Sequence, residues 1–282
     1  MNVFEIFFSP TGTSRRVAES VARAMAGVTP AGTAADAGCL TTLDATHKPV
    51  ATTVLAAGDA AVVAVPVYGG RVAPLALERL AGLDFGGAAV VGVVTYGNRD
   101  FERAAVELAG FVHTHGGRLV AVAAFVGEHS YSTEATPIAP GRPDMDDLAV
   151  ANALGRAVQR KLVLPAWKEA DARKLKAPAS GWLSVARFVR FVASYRRHPE
   201  RFSAMRAPKA DAALCTHCGR CAAACPTGAI VPGNETETDA DRCIRCCACV
   251  KGCPRGARTF TTPFAPALAR NFKRRKAPVY IY

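Results

Sequence analysis

CIRCCACVKGCP, residues 243–254, places five cysteines in twelve positions. Laid over CTHCGRCAAACP, residues 215–226, it aligns Cys243, Cys246, Cys249, Cys253 and Pro254 with Cys215, Cys218, Cys221, Cys225 and Pro226. Cys247 then falls opposite Gly219. The agreement continues as Pro-x-Gly-Ala in both copies, Pro226 to Ala229 and Pro254 to Ala257, so one supersecondary element is used twice. Each copy reads C-x2-C-x2-C-x3-C-P. Using Cys247 in place of Cys246 would break that spacing, which makes Cys246 the expected ligand and Cys247 a small buried filler.

The doubled run resembles that of bacterial two-cluster ferredoxins, in which three thiolates hold one cluster and the fourth reaches across to the other. The resemblance implies two 4Fe-4S clusters with crossed ligand sets. One is Cys215, Cys218, Cys221 and Cys253; the other is Cys243, Cys246, Cys249 and Cys225. Zinc is the first alternative, but it favours separated C-x2-C knuckles over four cysteines in one run. A disulfide framework is the second, and it needs an oxidising compartment.

Nine of the ten cysteines lie after residue 214, with only Cys39 upstream, which is a cofactor distribution and points to a reducing cytoplasm. At 282 residues the chain has room for a second folded domain, and half of its residues are apolar. The start, MNVFEIFFSP, has neither the basic region nor the long apolar run of a signal peptide and reads as a first strand. No apolar run reaches the roughly 18 residues of a spanning helix.

From residue 1 to 164, Val- and Ala-rich runs alternate with helical patterns. Strands are expected at Val3 to Phe8, weakly near Cys39 to Leu43, and strongly at Ala61 to Val67, Ala88 to Thr95 and Leu119 to Val126. Helices are expected at Arg15 to Met25, around Leu75 to Leu80, from Phe101 to His113 and after Asp144, a natural cap. This predicts an α/β fold with a doubly wound five-stranded parallel sheet of order 2-1-3-4-5. A small α+β cysteine domain follows it. The expected organisation is a sheet domain over 1–164, a basic helical linker over 165–210, a cysteine domain over 211–260 and a basic tail over 261–282.

In that sheet order a ligand sits beyond the carboxyl ends of the strands, between strands one and three. FFSPTGTS, residues 7–14, puts Ser9, Thr11, Thr13 and Ser14 around Gly12 just before a helix, where free amides and the helix dipole favour a phosphate. Pro10 removes one amide donor. A plain Ser/Thr cap would also account for the loop, while Walker and nicotinamide fingerprints are absent. After strand three comes PVYGGR (66–71) and after strand four TYGNRD (95–100), so Tyr68 and Tyr96 stand beside glycines where two aromatics could flank a flat ring.

Together, S-x-T-G-x-[TS], P-x-Y-G-G and T-Y-G-N resemble flavodoxin-type FMN domains, and the whole chain resembles the bacterial fused flavodoxin and ferredoxin family. The likeness extends through GRPDMDDL (141–148) and the cysteine repeat and is weakest over 165–210. It implies that Ser9, Thr11, Gly12, Thr13 and Ser14 hold the FMN phosphate. Pro66, Val67, Tyr68 and Gly69, with Thr95, Tyr96, Gly97 and Asn98, would then contact the ring.

Residues 1–164 carry 13 Lys/Arg against 15 Asp/Glu and the remainder 22 against 8, so the net charge of +12 is C-terminal in origin. Cluster and phosphate charge offset part of it. GWLSVARFVRFVASYRR (181–197) reads as a helix with Ser184, Arg187, Arg190, Ser194 and Arg197 on one stripe. It is either a packed linker or, with the rest of 181–209 and the basic tail, a docking surface for membrane or an acidic partner. No nucleic-acid motif accompanies the charge.

The expected function is electron transfer between FMN, the clusters and a redox partner protein. A flavin reductase acting on a small molecule, and a docking module with structural clusters, are the alternatives.

Overall fold

A computed structural model describes residues 1–27 and 39–282. The chain divides into two compact units that interleave in sequence: a sheet unit of Met1–Gly127, Gly141–Pro178 and Lys276–Tyr282, and a cysteine unit of Glu128–Pro140 and Ala179–Arg275.

The sheet unit is built on five parallel strands: β1 (Val3–Phe7), β2 (Leu40–Asp44), β3 (Ala60–Tyr68), β4 (Ala89–Tyr96) and β5 (Arg118–Val126). Their spatial order is 2-1-3-4-5, the flavodoxin-like doubly wound order. A short sixth strand, β6 (Val279–Ile281), adds antiparallel to β5 and covers its edge. β4 is buried along its whole length, and β3 is buried until its last three residues. Burial on both faces is why these runs are continuous in Val and Ala rather than alternating.

Helices α1 (Thr13–Met25), α2 (Pro74–Leu80), α3 (Ala104–Thr114) and α4 (Met145–Leu162) complete this unit. Val17, Val21 and Met25 of α1 share a core with Leu154 and Val158 of α4 and with Val62, Val91, Ala121 and Phe125 of the sheet. The α1–α4 approach depends on Gly155, since a Cβ there would stand 2.4 Å from the Val21 carbonyl oxygen.

Asp144 caps α4 in a reciprocal box: it accepts from the Asp147 amide while Asp147 accepts from the Asp144 amide. Arg142, buried, pairs with the fully buried Asp147 and also donates to the Lys276 carbonyl at 3.0 Å. The Lys276 ammonium in turn donates to the Arg99 carbonyl. These bonds tie the C-terminal return to the loops after β4 and β5.

The cysteine unit contains α5 (Trp182–Arg197), two single-turn helices, α6 (Arg220–Ala223) and α7 (Ala248–Lys251), α8 (Phe264–Asn271) and one antiparallel rung, Lys209–Ala210 on Arg258–Thr259. Ile138, Phe188, Leu268 and Phe272 form its apolar core, with Phe191, Val192 and Phe264 against them.

The linear boundaries expected at residues 164, 210 and 260 do not coincide with these units. Residues 165–178 belong with the sheet, and the excursion 128–140 between β5 and α4 belongs with the cysteines. The tail is not a free basic extension but holds α8 and β6. Apolar Phe264, Leu268 and Phe272 recur at helical spacing there, and the cations of FKRRK between them and β6 mask the signal in the sequence. Among the described residues no helix is long and apolar enough to cross a membrane.

Candidate functional site

At the carboxyl ends of β1, β3, β4 and β5 the loops are knitted together by side chains named in the sequence. Gly12 caps α1 with φ +79°, in the left-handed region open to glycine, and itself brings no side chain to the helix start. Ser9 is occupied within the protein: its amide donates to Thr46 Oγ1 at 3.0 Å and its Oγ accepts from the Arg15 amide at 3.0 Å. Ser14 is fully buried, with its hydroxyl 2.6 Å from that of Thr95. Thr11 and Thr13 are half-buried, and their hydroxyls make no hydrogen bond to another described residue.

The expected set therefore divides. Ser9 and Ser14 position the loop, whereas Thr11 and Thr13 present donors at the helix start; the Gly12 amide donates to the Ser9 carbonyl at 3.1 Å. Two partners were not evident in the sequence. Thr46 sits in an Asp-Ala-Thr turn, its amide bonded to Asp44 Oδ1 at 2.7 Å, and Gly127 lies so near Thr13 that a Cβ would be 3.1 Å from its Cβ. An Asx turn just after a weakly patterned strand was the available signal for Thr46.

PVYGGR forms a hairpin rather than a simple strand end. Val67 pairs with Val72 and Tyr68 with Arg71 around Gly69 and Gly70, whose φ values of +61° and +85° suit the two centres of a tight primed turn. At Gly70 a Cβ would also meet the Glu102 carboxylate at 2.1 Å, so that side chain would have to move. Glu107 anchors the returning strand through Arg71 and, at 2.9 Å, the Val72 amide. Pro66, Val67 and Tyr68 are half-buried at this rim and Gly69 is exposed.

Tyr96 departs from the expected bracket of two aromatics. It is 2% exposed, its ring lies edge-on to Phe101 at 5.4 Å, and burial pushes its phenol well above the usual range. At the end of β4 the side chains alternate, so Thr95 meets Ser14 while Tyr96 turns to the other face. Tyr68 is left as the accessible aromatic, beside Gly97 and the buried Asn98, whose φ is +63°.

In the cysteine unit the thiols divide between two cavities. Cys215, Cys218, Cys221 and Cys253 line one of about 340 Å³, with Gly219, Glu235 and Arg258 in its wall. Cys225, Cys243, Cys246 and Cys249 line another of about 300 Å³, walled by Pro226, Ala229, Ile230, Ile244 and Cys247. Among the described residues no three metal-ligating side chains converge on a single-ion point. The thiols are instead spread around spaces large enough for a multi-atom group.

The two copies share a backbone. His217 and Arg245 have φ +50° and +57°, and Gly219 and Cys247 have φ +72° and +57°, each pair being equivalent in the repeat. Gly219 caps α6 and Cys247 caps α7, and Cys221 and Cys249 follow in those first turns. Amides point at sulfur: Ala229 donates to Cys225 Sγ at 3.2 Å and Arg245 to Cys243 Sγ at 3.4 Å.

Burial pushes the Cys246 thiol up to about 12 and raises Cys221, Cys243 and Cys249 as well. At Cys253 burial acts upward too but is outweighed by the amides of Arg255, Ala257 and Arg258, which hold that thiol below its usual range. Most of these thiols would stay protonated alone and become thiolates only on a metal, which removes the proton outright. This donor set fits cluster binding, and the helix start of α1 fits a phosphate.

Residues 207–254 match the family model of the 4Fe-4S dicluster domain. The match covers the doubled cysteine run up to Pro254. Among solved structures, the chain is similar to a flavodoxin from the domain Archaea, 11% identical over 57% of this chain and 99% of that one, with TM-score 0.36. A Streptococcus pneumonia TIGR4 flavodoxin is 17% identical over 57% and 99%, with TM-score 0.38. An apo NADH:FMN oxidoreductase is 16% identical over 58% and 91%, with TM-score 0.39. At these scores the class of the sheet unit rests on its strand order. No curated protein matches the chain. The chain thus combines a flavodoxin-like α/β unit with a 4Fe-4S dicluster segment, which suggests an electron-transfer or redox role.

Proposed function

We propose that the chain passes electrons between FMN and two 4Fe-4S clusters, and onward to or from a redox partner protein. The observation that carries this reading is the division of eight cysteines into two cavities, each taking three thiols from one repeat and the fourth from the other. When bound, FMN would supply the exchange between two-electron and one-electron transfer and the clusters the one-electron steps.

The chain's own residues do the remaining work. Amides at Cys225 and Cys243 offset thiolate charge, and the apolar walls of Ile230, Ile244 and Ala229 keep water from the second cage. Thr11 and Thr13 would hold the FMN phosphate at the positive end of α1, in a loop fixed by Ser9 and Ser14. Tyr68 and the backbone of Gly69 and Gly97 are the rim groups available to its ring.

Anaerobic purification with metal, sulfide and flavin counts tests this. About eight irons, eight sulfides and one FMN per chain are expected; bound zinc with no flavin would overturn the reading. Stoichiometric reoxidation of reduced flavin by a small molecule alone would move the assignment from carrier to reductase.

A further inference from the structure

The internal repeat breaks its own symmetry at one buried position. After the matched Pro-x-Gly-Ala, the first copy continues with Ile230 and the second with Arg258. Ile230 is 2% exposed and lies in the wall of the second cavity; Arg258 is 3% exposed and lies in the wall of the first.

Arg258 forms no ion pair among the described residues. Its Nη1 donates to the Glu235 carbonyl and stands 3.9 Å from Cys221 Sγ; its Nη2 donates to the Pro208 carbonyl at 3.3 Å and to the Thr238 hydroxyl. Its Nε has no partner. The Glu235 carboxylate beside the first cavity is engaged elsewhere, with the Gly233 amide and His217.

Carbonyls and a hydroxyl solvate a guanidinium but carry no net charge. An arginine cannot lose its proton, and a buried charge without a counter-charge costs several kcal/mol. The one sulfur within hydrogen-bonding reach of it among the described residues is that of Cys221, in the first cage.

We propose that Arg258 is a positioning residue of the first cluster, whose charge raises that cluster's reduction potential. Adding an electron makes a cluster more negative, so a fixed cation beside its sulfur favours the reduced form, and burial keeps that field from being screened. Hydrogen bonds to cluster sulfur act in the same direction. The inference rests on the two-cluster reading.

The test is an EPR-monitored redox titration of the full chain, reconstituted anaerobically, with iron and sulfide counted in each sample. At full cluster content, Arg258→Met is expected to lower one midpoint, that of the first cluster, by at least about 59 mV, equivalent to a tenfold change in the one-electron ratio of reduced to oxidised cluster, and to move the other by less. Arg206→Gln, which removes an exposed cation paired with Asp241, should leave both where they were. Arg258→Lys keeps the charge but not the planar fork, so the first cluster's midpoint falls by a smaller amount, and this variant decides the matter if the Met protein loses iron. Unchanged midpoints at full iron, or an equal fall at both clusters, would overturn the assignment to the first cluster. A wild-type protein holding fewer than two clusters would instead sink the functional reading itself.

The apolar residues of α5 fall on two faces. Phe188, Phe191 and Tyr195 turn inward, Phe191 and Tyr195 packing on Phe264 at 5.2 and 5.1 Å. Trp182, Val185 and Val189, spaced i, i+3 and i+7, are 76%, 42% and 59% exposed. Arg196 falls within this stripe and Arg190 and Arg197 flank it, all exposed, and the helix has no acidic residue.

From this charge and the exposed tryptophan we infer that the outer face of α5 docks on an anionic lipid surface, apolar side chains entering the headgroup boundary and arginines meeting phosphates. Sedimentation with phosphatidylcholine vesicles, with and without phosphatidylglycerol, tests it. Binding is expected only with phosphatidylglycerol, weakened by salt, and lost both in Trp182→Ser/Val189→Ser and in Arg190→Gln/Arg196→Gln. No binding, or binding that either double variant leaves intact, would overturn it, as would this face taking up an acidic protein while ignoring vesicles.

Discussion

Cys246→Ser protein, purified without oxygen, is expected to hold about four irons in place of about eight, whereas Cys247→Ser keeps both clusters. The two thiols are neighbours in sequence and both are buried in the wall of the same cavity, so burial does not separate their roles. Backbone conformation does. Cys247 has φ +57° and caps α7 where Gly219, φ +72°, caps α6. It therefore occupies the glycine position of the repeat, and Cys246 the ligand position equivalent to Cys218.

A left-handed residue that is not glycine costs about 1–2 kcal/mol. Cys247→Gly should relieve that strain, with both clusters kept and, in a protein of this size, the melting temperature raised by about 2–4 °C per kcal/mol recovered. Loss of one cluster in Cys247→Ser, with Cys246→Ser unaffected, would reverse the ligand register and with it the crossed sets. Iron and sulfide counts beside a thermal melt measure all of this on the same preparations.

What the sequence made legible followed from how strongly each element was patterned. β3, β4 and β5 are continuous apolar runs because helices cover both faces, so strand order could be reasoned from alternation with helices alone. The cysteine cages were legible for a different reason: a repeat compares the chain with itself, and the comparison separates Cys246 from Cys247.

Side-chain direction was not legible. Tyr68 and Tyr96 look equivalent, each beside a glycine at a strand end, yet Tyr96 turns in against Phe101 and Tyr68 remains at the rim. Ser9 and Ser14 likewise match a phosphate loop by residue type, but their hydroxyls are used on Arg15 and Thr95. The interleaving of the two units was hidden as well. It depends on Ile138 joining the core of Phe188 and Phe272, and on three residues at Val279–Ile281 closing the β5 edge, both too short to register as periodicity.

The phosphate loop yields the other large effect. Gly12→Asp is expected to weaken FMN binding at least a hundredfold, about 2.8 kcal/mol, while leaving iron and sulfide content unchanged. The substitution separates folding from binding. A Cβ at Gly12 meets nothing within 4 Å, aspartate tolerates the left-handed region better than most residues, and it is a favoured helix cap. The fold should therefore accept it. The added carboxylate, however, stands at the positive end of α1, among the donors of Thr11 and Thr13, where it competes with a phosphate for the same amides and repels its charge. Gly12→Ala introduces the backbone cost without the charge and should weaken binding by less than tenfold. Flavin fluorescence quenching on titrating FMN into the deflavinated protein gives the three affinities. If Gly12→Asp binds FMN as tightly as the unaltered protein, the phosphate is not seated at this helix start, whatever the clusters do.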